Sequence, residues 1–305
     1  FYYGYMQNVD DEDIINYLKA VHIVNKEIIK TLKPDVIISP NFVGFYHIHL
    51  NLLAKTKKIP MFGTTDTKVN NLNIFTTNFY ENEGYFFDNL KYNSYEKRSD
   101  ELKQISNDFL EKKRKNLNRI FAYGFARKQN IFYNVKILIK NIVKSIIKYN
   151  YNVKIKSTID NPGLVISFRN FIYYYLNYFK NKNFKYNSFN DITSYEIAFF
   201  PLQFQPEANI DVLSWQFNNQ IETIRQIAMR LPHNYVLLVK DHPAMLTFRS
   251  NKYLKKISKI PNVKLIKYDY NINEIFNKTS IIISPTTSIF FEASLYNIPC
   301  LQLGK

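Results

Sequence analysis

From residue 195 onward, short uninterrupted apolar runs alternate with stretches of helical period. Strands are expected at Tyr195–Phe200, Tyr235–Val239, Val263–Ile266, Ser280–Ser284 and Cys300–Leu303. Helices fit Ser214–Arg230, Asn251–Ile257, Ile272–Asn277 and Ser288–Tyr296. Strands that are apolar throughout are buried on both faces, so this rhythm predicts a parallel sheet covered by helices. The N-terminal segment follows the same logic. Asp10 to Asp13 precede Ile14, Ile15, Leu18, Val21, Val24, Ile28 and Ile29, a helix with acid at its positive end. Pro34 stops it, Asp35–Ser39 reads as a buried strand, Gly44–Lys57 as a second helix and Ile59–Phe62 as the next strand. That β-α-β order implies parallel pairing here too.

Between these two regions the pattern changes. Residues 65–98 are polar and aromatic with little period, as in a long surface loop, and 99–130 are charged and helical. Ile131–Lys148 sets Lys136, Lys140, Lys144 and Lys148 four apart, with Val135, Ile139, Ile142, Val143 and Ile146 on the opposite side. Such a basic amphipathic helix either packs on the body with a solvated lysine face or lies on an anionic membrane surface. A second, aromatic helix fits Phe168–Phe179. The expected organisation is therefore an N-terminal Rossmann-like domain over 1–98, a helical basic connecting region over 99–190 and a Rossmann-like domain over 191–305, which reads as cut short.

At 305 residues and 46% hydrophobic content the chain can bury two ordinary cores. No apolar run is long enough to span a bilayer, and the first residues lack the pattern of a signal peptide. The start without methionine suggests an internal piece of a longer protein. Cys300, alone and inside an apolar strand, excludes a disulfide framework, fits a cytoplasmic location and is expected to be buried and inert. The net charge of +16 raises a nucleic-acid reading. The richness in Lys, Asn, Ile, Tyr and Phe is what an AT-rich genome produces without selection for binding. There is also no zinc-ligand spacing and no RNA-binding motif. The charge then favours an anionic partner or surface instead.

Seven glycines form no dinucleotide fingerprint, no phosphate-binding Gly-Lys loop and no nucleophile elbow. The candidate chemistry sits in three loops that follow predicted strands and so share the carboxyl edge of one sheet, where open α/β sheets bind ligands. The first carries Gln205 and Glu207 around Pro206, suited to orienting a sugar or to capping a turn. The second is Lys240-Asp241-His242-Pro243. A histidine there donates to a phosphate oxygen or is structural, Lys240 adds positive charge, and Pro243 keeps His242 out of helix. The third, Thr286-Thr287-Ser288, opens a helix whose N-terminus suits a phosphate, or simply caps it. Glu292, one turn further, reaches a ribose or complements the dipole. In the N-terminal region His47 and Asp66 are candidate bases. His47 and His49 face different ways on their helix, His22 is expected in the core, and His233 in a turn. No metal site is expected.

The segments FFPLQFQPEA (199–208), VKDHPAM (239–245), PNVKLI (261–266) and SPTTSIFFEASLYNIPCLQLG (284–304), in this order, resemble the capsule polysaccharide biosynthesis protein family. That family is similar to bacterial Kdo transferases and belongs with the GT-B glycosyltransferases. KPDVIISPNFVGFYHIHLNLLAKTKKIP (33–60) resembles its N-terminal domain; 67–190 contribute almost nothing, and the family's closing segment is absent. The His-Pro pair also resembles that of bacterial sialyltransferases. The resemblance implies two Rossmann-like domains and metal-independent transfer of a sugar, from a CMP-sugar by preference, to a polysaccharide or lipid-linked acceptor. His242 and Thr287-Ser288 would bind phosphate, Glu292 would approach the nucleoside, and no cofactor would be needed. The lone cysteine points to the cytoplasm, and the basic face at Lys136–Lys148 would hold such an enzyme at the inner face of the membrane, near an anionic lipid acceptor. Two rivals stand beside it: a teichoic-acid-type CDP-polyol phosphotransferase and a non-catalytic scaffold.

Overall fold

In the five-stranded sheet near the C-terminus every strand is parallel to its neighbours, and the strand order explains where the three loops meet. A computed structural model describes residues 10–42, 44–67, 69, 72–90, 98–116, 135–140, 142–143, 164–192, 194–205, 207, 210–211 and 214–304. These form two compact units, one within Val9–Asn107 and one within Asp108–Lys305.

In the first unit, α1 (Asp11–Leu32) begins with Asp11, Glu12 and Asp13 in its first turn and ends at Lys33, whose left-handed backbone lets its N–H reach Ile29 O. Strands β1 (Ile37–Ser39) and β2 (Met61–Asp66) pair in parallel across α2 (Phe45–Thr56), as the β-α-β pattern predicts. The expected loop over 65–98 is not one. It holds β3 (Asn73–Thr76), antiparallel to β2, and α3 (Tyr85–Leu90), so this sheet is mixed, in the order β1-β2-β3. Its core gathers Ile29, Phe42, Leu50, Ala54 and Met61. A side chain at Gly63 would collide with the Phe42 ring at 2.3 Å, so only glycine lets β2 pass so close.

Beyond α4 (Asp100–Asn116), residues 135–140 and 142–143 are helical. Of the apolar side, the described Val135, Ile139, Ile142 and Val143 are exposed. Lys144, Ile146 and Lys148 lie outside the described residues. The aromatic helix is α5 (Leu164–Lys182).

The second unit is doubly wound. Strands β4 (Glu196–Pro201), β5 (Tyr235–Lys240), β6 (Val263–Ile266), β7 (Thr279–Ser284) and β8 (Cys300–Gln302) lie in the order β6-β5-β4-β7-β8. Successive residues of each strand serve opposite faces. Ile197, Phe199, Val236, Leu238 and Ile282 meet α8 (Ile272–Phe276) and α9 (Ile289–Ser294) through Ile275, Phe276 and Ala293. Ala198, Phe200, Leu237, Val239, Leu265 and Ile283 meet α6 (Gln220–Ala228) and α7 (Asn251–Ser258) through Ile224, Ala228, Leu254 and Ile257. This explains the unbroken apolar runs. Cys300 departs from expectation: β8 is the last strand of the described sheet, and the thiol is exposed.

Candidate functional site

Strand β4 is flanked by β5 on one side and β7 on the other, so chain order reverses between β4 and β7. At such a reversal the connections leave in opposite directions and open a crevice outside the carboxyl ends of the strands. The loops carrying Gln203 to Asn219 and Pro285 to Ser288 leave from β4 and β7, and Asp241 and His242 leave from adjoining β5. The sequence expectation that the three polar loops share one sheet edge is met.

These loops are tied by buried polar side chains. Gln220, at the start of α6, accepts the Gln203 N–H at 2.7 Å and donates to Gln203 O at 3.3 Å and Gln205 Oε1 at 2.6 Å. Gln203 Nε2 donates to Pro201 O and across to Ser284 Oγ on β7, at 2.9 and 3.0 Å. Gln205 Nε2 donates to Asp211 Oδ1 at 3.2 Å, and Asp211 Oδ2 accepts the Glu207 N–H at 3.1 Å. Burial and then the neighbouring Asp211 hold the Glu207 carboxyl above its ordinary value. Asp211 is also raised by burial, against the hydrogen bonds it accepts from Gln205 and Glu207.

In the second loop, Asp241 and Arg249 form an ion pair at 2.7 Å with both side chains 3% exposed. Asp241 Oδ1 also accepts the His242 N–H at 2.7 Å, and the second guanidinium nitrogen donates to Gln203 O at 2.7 Å. Burial pushes the Asp241 carboxyl up, while Arg249, the His242 N–H and Lys240 oppose it. His242 is extended (φ −77°, ψ 129°), as the following proline demands, and heads a short 3₁₀ turn, Pro243–Met245. Its Nδ1 accepts the Ala244 N–H at 3.2 Å, which leaves the proton of a neutral ring on Nε2. The ring is neutral at pH 7, because burial, then Lys240 and Arg249, lower it to about 4. The edge of Phe204 packs against it, ring centroids 6.0 Å apart.

Lys240 closes β5 and donates to Tyr268 O at 2.6 Å. Burial lowers its ammonium to about 8, with Asp241, Asp269 and Glu292 opposing the fall. Burial raises Glu292, on α9, to about 7, and Lys240 acts against that rise. The two groups therefore both titrate near neutrality and sense each other.

The third loop differs from the capping expectation. Ser288 occupies the N-cap position but its helical backbone leaves the hydroxyl without a capping bond; Thr287 Oγ1 accepts the Ile289 N–H at 3.3 Å instead. The helix that follows has six residues, too short for a strong macrodipole. What Thr286, Thr287 and Ser288 offer a ligand is hydroxyls and backbone rather than a long helix end.

His47 and Asp66 belong to the other unit. His47 Nδ1 is buried with no hydrogen-bond partner, and Asp66 is exposed at the end of β2. His22, expected in the core, is exposed. Its Nδ1 lies 3.1 Å from His49 Nε2, and His49 Nδ1 lies 3.0 Å from Asn25 Nδ2. Since that amide nitrogen also donates to Tyr46 O at 3.1 Å, His49 Nδ1 is the acceptor. Burial and then His22 lower His49 below 6.5. His233 is exposed in its turn. Among the described residues no three His, Cys, Asp or Glu side chains gather as a metal site.

Asp211 and Gln220 went unnoticed in the sequence, and Gln203 and Ser284 had no role there beyond their place in the quoted segments. A glutamine opening a helix reads as surface, and only the sheet order brings Ser284 to Gln203.

No family model matches the chain, and no curated protein does. Among solved structures it is similar to an S. aureus MnaA–UDP co-structure (14% identity, TM-score 0.29, 93% of this chain and 61% of that one). It is also similar to UDP-GlcNAc 2-epimerase from Neisseria meningitidis bound to UDP-GlcNAc (14%, 0.28, 97% and 66%). A third is UDP-GlcNAc 2-epimerase from Methanocaldococcus jannaschii in complex with UDP-GlcNAc and UDP (12%, 0.28, 93% and 64%). The chain spans less than two thirds of the length of each of these proteins. The α/β class itself rests on this chain's own five parallel strands.

Proposed function

We propose that the second unit binds the phosphate of a nucleotide sugar and that the protein is a GT-B-like, metal-independent glycosyltransferase of surface polysaccharide synthesis. The donor in this reading is CMP-linked, with a Kdo-like sugar, and the acceptor a polysaccharide or lipid-linked glycan. The observation that carries it is that a neutral His242, Lys240 at the end of β5, the Thr286–Ser288 hydroxyls and Glu292 on α9 all belong to one sheet edge at a chain reversal. A neutral Nε2–H donates to a phosphate oxygen without the cost of keeping a buried imidazolium. As the acceptor oxygen bonds to the anomeric carbon, the bond to the phosphate oxygen breaks and its electron pair stays on that phosphate. His242 and Lys240 stabilise the charge that develops there. The acceptor proton needs a base, and Glu207, whose carboxyl is raised above its ordinary value by burial and then by Asp211, is the group proposed to take it. Gln205 orients the sugar beside it, and Glu292 contacts the nucleoside.

The helical residues 135–140 and 142–143 favour a peripheral contact with anionic lipid, since Lys136 and Lys140 alternate with exposed Val135, Ile139 and Ile142. No helix among the described residues is long and apolar enough to cross a membrane. Co-sedimentation with phosphatidylglycerol vesicles, lost in Lys136→Glu/Lys140→Glu, tests that contact; unchanged sedimentation refutes it.

The test of the main reading is a thermal-shift panel with CMP, CDP, UDP, GDP and CDP-glycerol. Ligand at ~100 times its dissociation constant stabilises by about 2.7 kcal/mol. A shift with CMP that His242→Ala abolishes supports the proposal. Preference for CDP-glycerol supports the polyol-phosphate rival, UDP or GDP replaces the donor, and no shift with any of them favours the scaffold.

A further inference from the structure

We infer that Asp241 and Arg249 are positioning residues for His242: their buried ion pair locks the loop after β5 to the loop after β4 and so fixes the imidazole. The inference rests on the reading above, in which His242 meets the phosphate, but its geometry stands by itself.

Two opposite charges with side chains 3% exposed are costly to desolvate, and well-packed apolar residues commonly replace such pairs without loss of stability. The sheet beneath already has Phe200, Val239, Leu254 and Ile257 buried against it. Stability alone therefore gives no reason for the pair. Geometry does. One Asp241 oxygen receives both the guanidinium and the His242 N–H, each at 2.7 Å, which fixes the backbone on the amino side of the histidine. The other guanidinium nitrogen holds Gln203 O, in the loop leaving the neighbouring strand. A planar fork serves two loops at once; a lysine ammonium offers no such fixed pair of directions. The guanidinium itself is held, lying 4.9 Å from the Tyr253 ring centre. Asn181 of α5 donates to the Arg249 and Leu246 carbonyls at 2.7 and 2.8 Å, which pins the backbone on that side. With Pro243 restricting the residue before it and the Ala244 N–H on Nδ1, the histidine is held from both sides.

The test replaces the pair by an apolar one, Asp241→Leu with Arg249→Met, and separately makes Arg249→Lys. Three readouts are taken: the melting temperature, the ¹⁵N shifts of the His242 imidazole (assigned with His242→Ala), and the CMP dissociation constant. The expected result is a double variant that stays folded, with the ¹⁵N shifts moving toward mixed tautomers and CMP affinity falling by about tenfold to a hundredfold. Arg249→Lys is expected to lie between it and the unsubstituted protein. A folded double variant with unchanged imidazole shifts overturns the inference. If the double variant does not fold, unchanged shifts in folded Arg249→Lys overturn it instead. If the unsubstituted protein binds no CMP, the nucleotide reading fails, while the imidazole shifts still decide the positioning role.

Discussion

Glu292→Gln should reveal what a carboxyl costs in the proposed site. Burial raises Glu292 from 4.5 to about 7, Lys240 opposing. At about 1.4 kcal/mol per pH unit, that displacement is worth at most about 3 kcal/mol. The folded protein holds this proton more tightly than the unfolded chain. Stability from the protonated carboxyl is therefore full below 4.5 and is lost as pH rises through 7. Glutamine cannot ionise, so its advantage over the carboxylate should be under about 1 kcal/mol at pH 5 and about 3 kcal/mol at pH 7.5. Urea titrations at several pH values, read from β4 and β7 peptides by hydrogen exchange, isolate this unit. A difference between the two proteins that stays constant from pH 5 to 7.5, or that shrinks as pH rises, refutes the reasoning, whatever its size at one pH.

Four further substitutions probe other parts of the account. His49→Gln should flatten the acid sensitivity of the first unit. His49 is depressed below 6.5, so the unfolded chain binds its proton first and stability falls as pH drops through 6.5; α1 and α2 exchange rates measure this. Ser214→Ala should be neutral or stabilising by about 1 kcal/mol, since the buried hydroxyl has no partner. Gly304→Ala should lower the melting temperature, because its Cβ would lie 2.0 Å from Ser214 Oγ and 2.9 Å from Pro285 O. Gln220→Ala leaves Gln203 N–H and Gln205 Oε1 without their partner and should cost about 2–4 kcal/mol by urea denaturation.

The second unit was legible because its strands are buried on both faces. Val236 to Val239 must all be apolar to satisfy the helices above and below, and that leaves a continuous run. The same logic found the loops. The first unit was less legible. β3 pairs through one neighbour only, so Asn73 and Phe75 stay exposed and no apolar run marks it. His22 was assigned one position off the buried stripe, which is Val21, Asn25 and Ile29. Asn25 in the middle of that stripe breaks its apolar pattern while holding Tyr46 O and His49. The helix expected from Ser214 starts only at Gln220, because Asn219 accepts the Glu222 N–H and caps it there. Local signals also could not reveal the clamp. Asp241 and Arg249 are eight residues apart across a 3₁₀ turn, and their third partner, Gln203 O, comes from another strand's loop.

The central claim, a phosphate-binding site at the β4–β5–β7 edge, is tested most directly by calorimetric titration of CMP into the unsubstituted protein and into His242→Ala. The account predicts saturable one-site binding that the substitution weakens by at least about tenfold, or 1.4 kcal/mol, with the fold intact by circular dichroism. CMP binding that is the same in both proteins, or absent from both along with that of CDP, UDP, GDP and CDP-glycerol, contradicts it.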